Sequence, residues 1–287
     1  MTISTTLIEN NWLIQMDGLH DAPAVIDRPG NLFREKYENR LANAERFAEW
    51  HGRTDLANFA DLIQAMHRPW TYGQNVVDRM HRDLEGLTIE KPKSHRRRVR
   101  FSEDDGAEIC YDRLRSGNPF WRTTRRQLRT SLKPVSVLIN IGGNGGRTAD
   151  ELLWAASAGI STVEVLEAAG IRAEVFVCDA VSRCWNNCTR GGVFSMQVKA
   201  ASDPLDRDAL IAATSPWFFR NVFFSAHTLP ADDCSEGLGR HASLESMPTL
   251  INRVCSDPRR IIIENCYTRS DAGNAVRNAI GVASAAA

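Results

Sequence analysis

The residues whose order could carry chemistry lie in VSVLINIGGNGGRTADELL (135–153), an apolar run that passes through glycines into a helical pattern. Backbone amides at such a junction, with the positive end of the helix behind them, form a natural seat for an anion. Three chemistries use that arrangement. A dinucleotide fold needs G-x-G-x-x-G or a final Ala; Gly143-x-Gly145 supplies the first half, but position 148 is Thr, and the acidic residue for the ribose would be Asp179, far too late in the chain. A phosphate-binding loop needs G-x-x-x-x-G-K-[ST]; Gly146-Arg147-Thr148 mimics its end, with Ile141 where the first glycine belongs and Arg147 in place of the lysine. A hydrolase elbow needs its serine on a strand-to-helix turn, whereas Ala155-Ala156-Ser157-Ala158-Gly159 falls in mid-helix. The plain alternative is that the glycines only permit a tight turn.

A second candidate is electrostatic. Residues 91–133 hold thirteen basic and five acidic residues, a net charge of +8, while the whole chain of 287 residues carries 35 of each sign. Arg96, Arg97, Arg98, Arg100, Arg122, Arg125 and Arg126, with Phe120 and Trp121 among them, are what a phosphate-binding surface with stacking aromatics would present. The competing reading is a basic arm neutralised by acidic helices of the same chain, or a solvated face and protein interface. A third candidate, Cys178, Cys184 and Cys188 in CDAVSRCWNNC, would need a fourth zinc ligand from Cys234, His227 or His241, has only one pair at zinc-ligand spacing, and places Cys178 within an apolar strand pattern. No cofactor and no metal are expected from these patterns. The histidines show no nucleophile pattern, and Trp185, in an Asn-containing stretch, reads as an exposed contact.

The elements that must position these residues follow from periodicity. VSVLINI (135–141) reads as a buried central strand, followed by a helix over Thr148–Ala169 closed by Gly170. AEVFVCDA (173–180), VFSMQVKA (193–200) and RRIIIENCY (259–267) read as further strands, with helices over PLDRDALIAATS, PWFFRNVFFSAHTL, SLESMPTLINRVC and DAGNAVRNAIGVAS. Residues 1–30 look mixed. NLFREKYENRLANAERFAEWHG reads as one helix closed by Gly52, followed by helices from about Thr54 and, beyond Pro69, to about Leu84. A short strand is expected at 98–102, followed by a short helix, and FWRTTRRQLR reads as a solvent-facing strand or an extended arm. The expectation is an α/β protein with a three-layer, mostly parallel sheet of Rossmann-like or von Willebrand A-like kind. A helical N-terminal region (1–94) would precede an α/β domain (95–287).

The chain resembles a family of uncharacterised phage- and plasmid-type proteins with a von Willebrand A-like core. The resemblance runs through roughly 50–267 and rests on Trp50-x-Gly52, Trp70-x-x-Gly73, GAEICYDRLRSGNP, the NIGGNGG to AEVFV unit and SDPLDRDALIAATSPWFFRNVFF. Such cores carry D-x-S-x-S after the central strand; here those positions read Asn140, Gly142 and Asn144, which lack the carboxylate and hydroxyl oxygens a hard divalent cation wants. The resemblance implies no established activity. The expected function is therefore a non-enzymatic protein-interaction module with a degenerate metal site. Its contacts would come from Gly142, Gly143, Asn144, Gly145, Gly146 and Arg147, from the loop Ala180–Gly192 with Trp185, and from the segment Tyr267–Asp271. The alternatives are a nucleic-acid-binding protein using 91–133, and an enzyme holding a phosphorylated small molecule at the glycine loop. Seven cysteines, no secretory pattern at the start and no apolar run long enough for a span point to a cytoplasmic protein without membrane contact.

Overall fold

The computed structural model describes residues 3–27, 34–43, 45–84, 98–104, 106, 108–125, 134–143, 146–168, 170–185, 189–230 and 240–286. Nine strands are assigned there: β1 (Ser4–Ile8), β2 (Asn11–Met16), β3 (Arg98–Ser102), β4 (Glu108–Ile109), β5 (Trp121–Arg125), β6 (Val135–Asn140), β7 (Ala173–Trp185), β8 (Arg190–Lys199) and β9 (Ile261–Ile263). The helices are α1 (Ala22–Ile26), α2 (Arg34–Ala42), α3 (Ala48–His51), α4 (Phe59–Met66), α5 (Thr71–Leu84), α6 (Tyr111–Arg115), α7 (Ala149–Ala168), α8 (Arg207–Ala213), α9 (Pro216–Phe218), α10 (Phe224–Ala226), α11 (Pro248–Val254) and α12 (Arg269–Ala286). A π-helical turn, Phe219–Phe223, joins α9 to α10. The chain divides into two compact units, one of residues 1–89 with 134–286 and one of residues 90–133.

The first unit is built on a six-stranded sheet of order β1-β2-β8-β7-β6-β9. Three of its five neighbouring pairs are parallel, β2 with β8, β6 with β7 and β6 with β9. The other two, β1 with β2 and β7 with β8, are antiparallel. All six residues of β6 are buried, as a strand covered on both faces requires. Alternation sends Leu138, Cys178, Ala180, Val193 and Leu13 to one face, where Leu250 and Ile251 of α11 cover them. Ile139 points to the other face, against α7. A Cβ on Gly159 of α7 would fall 2.3 Å from Ile139 Cδ1, so the missing side chain is what lets the helix lie close. With α5 and α12 packed against α7, the layers are helix, sheet, helix. Of the 20 residues of α7, 13 are buried, the hydroxyl residues Ser157, Ser161 and Thr162 among them. Its last turn ends on Gly170 with φ +81, a left-handed conformation that glycine adopts at little cost.

Several expectations change. The mixed first residues supply two strands: the turn Glu9–Asn10, with φ 47 and 69, folds β1 back on β2, which then pairs with β8 and buries Leu13, Ile14 and Met16. The stretch Ala180–Gly192, expected as a loop, is mostly strand: β7 and β8 run on as an antiparallel arm in which Trp185 is partner to Arg190. The last strand spans only three residues, leaving Glu264–Tyr267 as loop. The long helix expected before Gly52 is instead α2 and α3, with turn residues between them. Gly170, Gly52 at φ +74, and the strand at 98–102 stand where expected.

Candidate functional site

Beyond β6 the chain crosses through α7 to β7 on one side, while β9 pairs on the other side, so the carboxyl end of β6 is a point where the winding reverses. Open α/β sheets leave a crevice at that point. Here the crevice collects Asn140, Gly142, Asp179, His227, His241, Glu264 and Tyr267. They come from five stretches of chain far apart in the sequence, at 140–142, 179, 227, 241 and 264–267.

Asn140, the last residue of β6, is 1% exposed. Its amide nitrogen donates to Ala242 O (3.1 Å) and to Glu264 Oε2 (3.4 Å), and its Oδ1 accepts from Gly142 N (3.3 Å) and Ala180 N (3.4 Å). Both ends of the side chain are thus engaged with the protein, tying β6, β7 and the 240–244 segment together. Glu264 in turn accepts from Ser243 Oγ (2.6 Å) and Leu244 N (2.8 Å), closing the 3-10 turn Leu244–Ser246.

Asp179 Oδ2 and His227 Nε2 lie 2.8 Å apart, both groups buried. His241 Nε2 meets Asn265 Oδ1 at 3.1 Å, and its buried Nδ1 has no hydrogen-bond partner among the described residues. Asn265 itself takes a left-handed φ of 53. A Cβ built on Gly142 would lie 2.5 Å from His241 Nδ1, 2.6 Å from Asp179 Oδ1 and 3.2 Å from Asn140 Oδ1. Only glycine fits. Gly142→Ala is therefore expected to lower the free energy of unfolding by about 1–3 kcal/mol through overpacking, read by urea denaturation.

The rim is closed by two reciprocal helix caps. Glu151 accepts from Thr148 N (2.8 Å) while Thr148 Oγ1 accepts from Glu151 N (3.3 Å) at the start of α7. Asp271 and Thr268 repeat the pattern at α12, at 3.0 and 3.3 Å. The Thr148 amide holds the Glu151 carboxyl below its usual range. The place where an anion would bind the end of α7 thus already has a carboxylate. Arg147 pairs with that carboxylate (2.9 Å) and its Cζ stacks 4.2 Å from the Tyr267 ring centroid, while Tyr267 Oη donates to Gly142 O (3.0 Å). Burial pushes the Tyr267 hydroxyl up, against a smaller opposing pull from Arg147.

The predicted contact residues Gly142, Gly143 and Arg147 line this crevice, and Gly146 stands exposed beside it with nothing within 4 Å of its Cβ position. Asn144 and Gly145 lie outside the described residues, as do Cys188 and Cys234. The side chains of Cys184 and Trp185 are likewise not described, although β7 carries position 185 past the carboxyl end of β6. Cys178 is a core thiol, donating to Ser195 Oγ at 3.8 Å, and burial pushes it up to about 12; burial does the same to Cys266. Among the described residues no three His, Cys, Asp or Glu side chains form a group fit for a metal ion.

The buried pair Asp179–His227 and the Asn140–Glu264 link escaped sequence reasoning because no local spacing connects their members. A lone charge in an apolar run was the signal for one further buried group: Arg220 in PWFFRNVFF is 1% exposed, stacks 3.9 Å over Trp50 and donates to Trp50 O and to Arg147 O (2.8 Å). Also unread was a groove of about 810 Å³ beside the first turn of α7, walled by Trp70, Tyr72, Glu49 and Asp150. In it Arg53 is gripped by Asp55 and lies 5.0 Å from the Trp217 ring centroid.

The fold and crevice define an α/β protein with a six-stranded, mostly parallel sheet. The chain belongs to the family described as a domain of unknown function (DUF7192), whose model matches residues 2–282. No match is found among curated proteins or among solved structures. Among the described residues, no helix is long and apolar enough to cross a membrane.

Proposed function

We propose that the protein is a non-enzymatic interaction module with a von Willebrand A-like core. Its partner, another protein, meets the rim of the crevice: the Gly142–Arg147 loop, the β7–β8 arm and the Tyr267–Asp271 segment. The strand order β8-β7-β6-β9 with an antiparallel β8 supports the core assignment. The observation that carries the functional reading is Asn140. It stands where such cores keep an aspartate for a divalent cation, yet both ends of its amide are engaged by Ala242, Glu264, Gly142 and Ala180. The residues present do not fit a metal: Gly142 offers no side-chain oxygen, and the room for one is taken by Asp179 and His241. A phosphorylated ligand fits no better, because Glu151 caps α7 from within.

Gly146 tolerates a side chain, since nothing lies within 4 Å of its Cβ position, and Gly281 on α12 is equally open. A photo-crosslinking amino acid placed at Gly146 of the full chain in cells is expected to capture a discrete protein that the same residue at Gly281 does not. Equal capture at both positions, or none at Gly146, would overturn the assignment of this rim.

A further inference from the structure

Of the arginines singled out in the sequence, Arg122 pairs with Glu108 at 3.6 Å, and the side chains of Arg96, Arg97, Arg98, Arg100, Arg125 and Arg126 lie outside the described residues. The groove beside the first turn of α7 carries the opposite sign, and two motifs of the sequence build its wall. Trp70-x-x-Gly73 seats the Trp70 ring on the start of α5: a Cβ on Gly73 would fall 2.1 Å from Trp70 Cε3. Trp50-x-Gly52 ends α3 and brings Gly52 to the other edge of the same ring, its Cβ position 3.7 Å from Trp70 Cζ2. That edge is the one next to the indole N–H, and Gly52 lines the groove. Trp70 is 7% exposed, and its N–H has no hydrogen-bond partner among the described residues. Unlike the indole nitrogens of Trp50 and Trp217, it is not sealed in the interior. A fixed donor is thus left to the groove, and an acceptor oxygen is what would complete it.

Three carboxylates stand around this wall. Asp55 is engaged by Arg53, which donates to its two oxygens at 2.7 and 2.5 Å. Asp150 is exposed and accepts from the Tyr72 hydroxyl (3.1 Å), with no cation paired to it among the described residues. Exposed Glu49 has neither a hydrogen-bond nor an ion partner among them. Of the described lining residues only Arg53 is basic. The Tyr72 ring, 52% exposed, lies 5.8 Å from the Trp70 ring and offers an aromatic face beside these acids. A planar guanidinium matches that set, since it can fork onto a carboxylate and stack on a ring at once. A second hollow of about 520 Å³, lined by Leu41, Leu56 and Ala57, shares Thr54 and Asp55 with the groove. The two together form a track longer than one side chain.

We infer that this track takes an extended, arginine-bearing segment of a partner protein. The guanidinium meets the carboxylates of Glu49 and Asp150 over the Tyr72 ring, and a backbone carbonyl of the segment accepts from the Trp70 indole. The inference stands apart from the crevice rim: the rim is probed at Gly146, the groove at Glu49, Asp150 and Trp70, and either can fail alone.

The test is fluorescence anisotropy of the full-length protein with a labelled peptide of alternating arginine and glycine, and with the same peptide carrying citrulline, which keeps the shape without the charge. The expected result is saturable binding of the arginine peptide that weakens with salt and is lost with citrulline. Glu49→Gln with Asp150→Asn should weaken it about tenfold or more. Both side chains are exposed, and asparagine still accepts from Tyr72, so the melting temperature should stay level. Trp70→Phe, which keeps a ring and removes the N–H, should weaken binding about three- to tenfold. A control pair with the same charge change, Glu245→Gln with Asp203→Asn, exposed and outside the groove, should leave affinity within about twofold. Arginine amide, the cation without its chain, should compete only at far higher concentration. Absence of binding at low salt, equal binding of the citrulline peptide, equal losses in both variant pairs, unchanged affinity in Trp70→Phe, or competition by arginine amide at the peptide's own concentration would each overturn the inference.

Discussion

Asn140→Asp is expected to destabilise the protein by about 3–5 kcal/mol at pH 7, the scale for an uncompensated buried charge. The substitution keeps the shape but removes the donor to Ala242 O and places a carboxylate where the amide met Glu264 Oε2 at 3.4 Å. Burial and the facing Glu264 both raise the folded-state pKa of the new carboxyl above its unfolded value. The penalty is therefore absent below the unfolded pKa and grows as pH rises through and above it, so the gap from wild type should narrow toward pH 4. Urea denaturation across pH measures this. In a domain whose metal site merely lacked its aspartate, the same substitution would restore a ligand and magnesium would recover stability. Here Gly142 offers no second side-chain oxygen, and magnesium should recover nothing.

His51→Leu should invert the order of stability between neutral and acid pH. His51 is 1% exposed; its Nδ1 lies 3.4 Å from Asn221 Nδ2, and its Nε2 has no hydrogen-bond partner among the described residues. Burial, with Arg220 and Arg40 nearby, lowers it from 6.5 to about 4. Above pH 6.5 the ring is neutral in both states and the shift contributes nothing. As pH falls from 6.5 to 4 the unfolded chain takes up a proton that the folded chain refuses, so folding loses about 3 kcal/mol over that window. Leucine does not titrate. Near pH 7.5 the variant should lie within about 1.5 kcal/mol of wild type, as for a volume-conserving change, and near pH 4 it should be the more stable of the two. Equal pH slopes for the two proteins would contradict the buried neutral imidazole.

The elements that were legible in the sequence are those whose signal is local. VSVLINI is a continuous apolar run and becomes the fully buried β6; the helix from Thr148 shows its T-x-x-E cap and its closing glycine within one stretch of chain. The strand NWLIQM was illegible because six residues of mixed character become a strand only through pairing with β8, some 180 residues away. The continuation of β7 and β8 past Ala180 was hidden for a related reason. The register shifts between Val181 and Trp185, and Val181 forms a lone bridge to His241, so no regular apolar alternation announces the arm. In the crevice, Gly142 and Arg147 drew attention by type. Asp179, His227, His241 and Glu264 gain their meaning only from the approach of distant segments. In the basic unit charge was readable at once, but which arginines share a face depends on strand register, which separates Arg122 from Arg98, Arg100 and Arg125.

The most direct test of the crevice as a closed, metal-free scaffold is a calorimetric titration of the full-length protein with magnesium and with manganese, repeated on Asn140→Ala. The expected result is no stoichiometric uptake by either protein, with the variant only less stable. One equivalent bound tightly by wild type and lost in Asn140→Ala would contradict it.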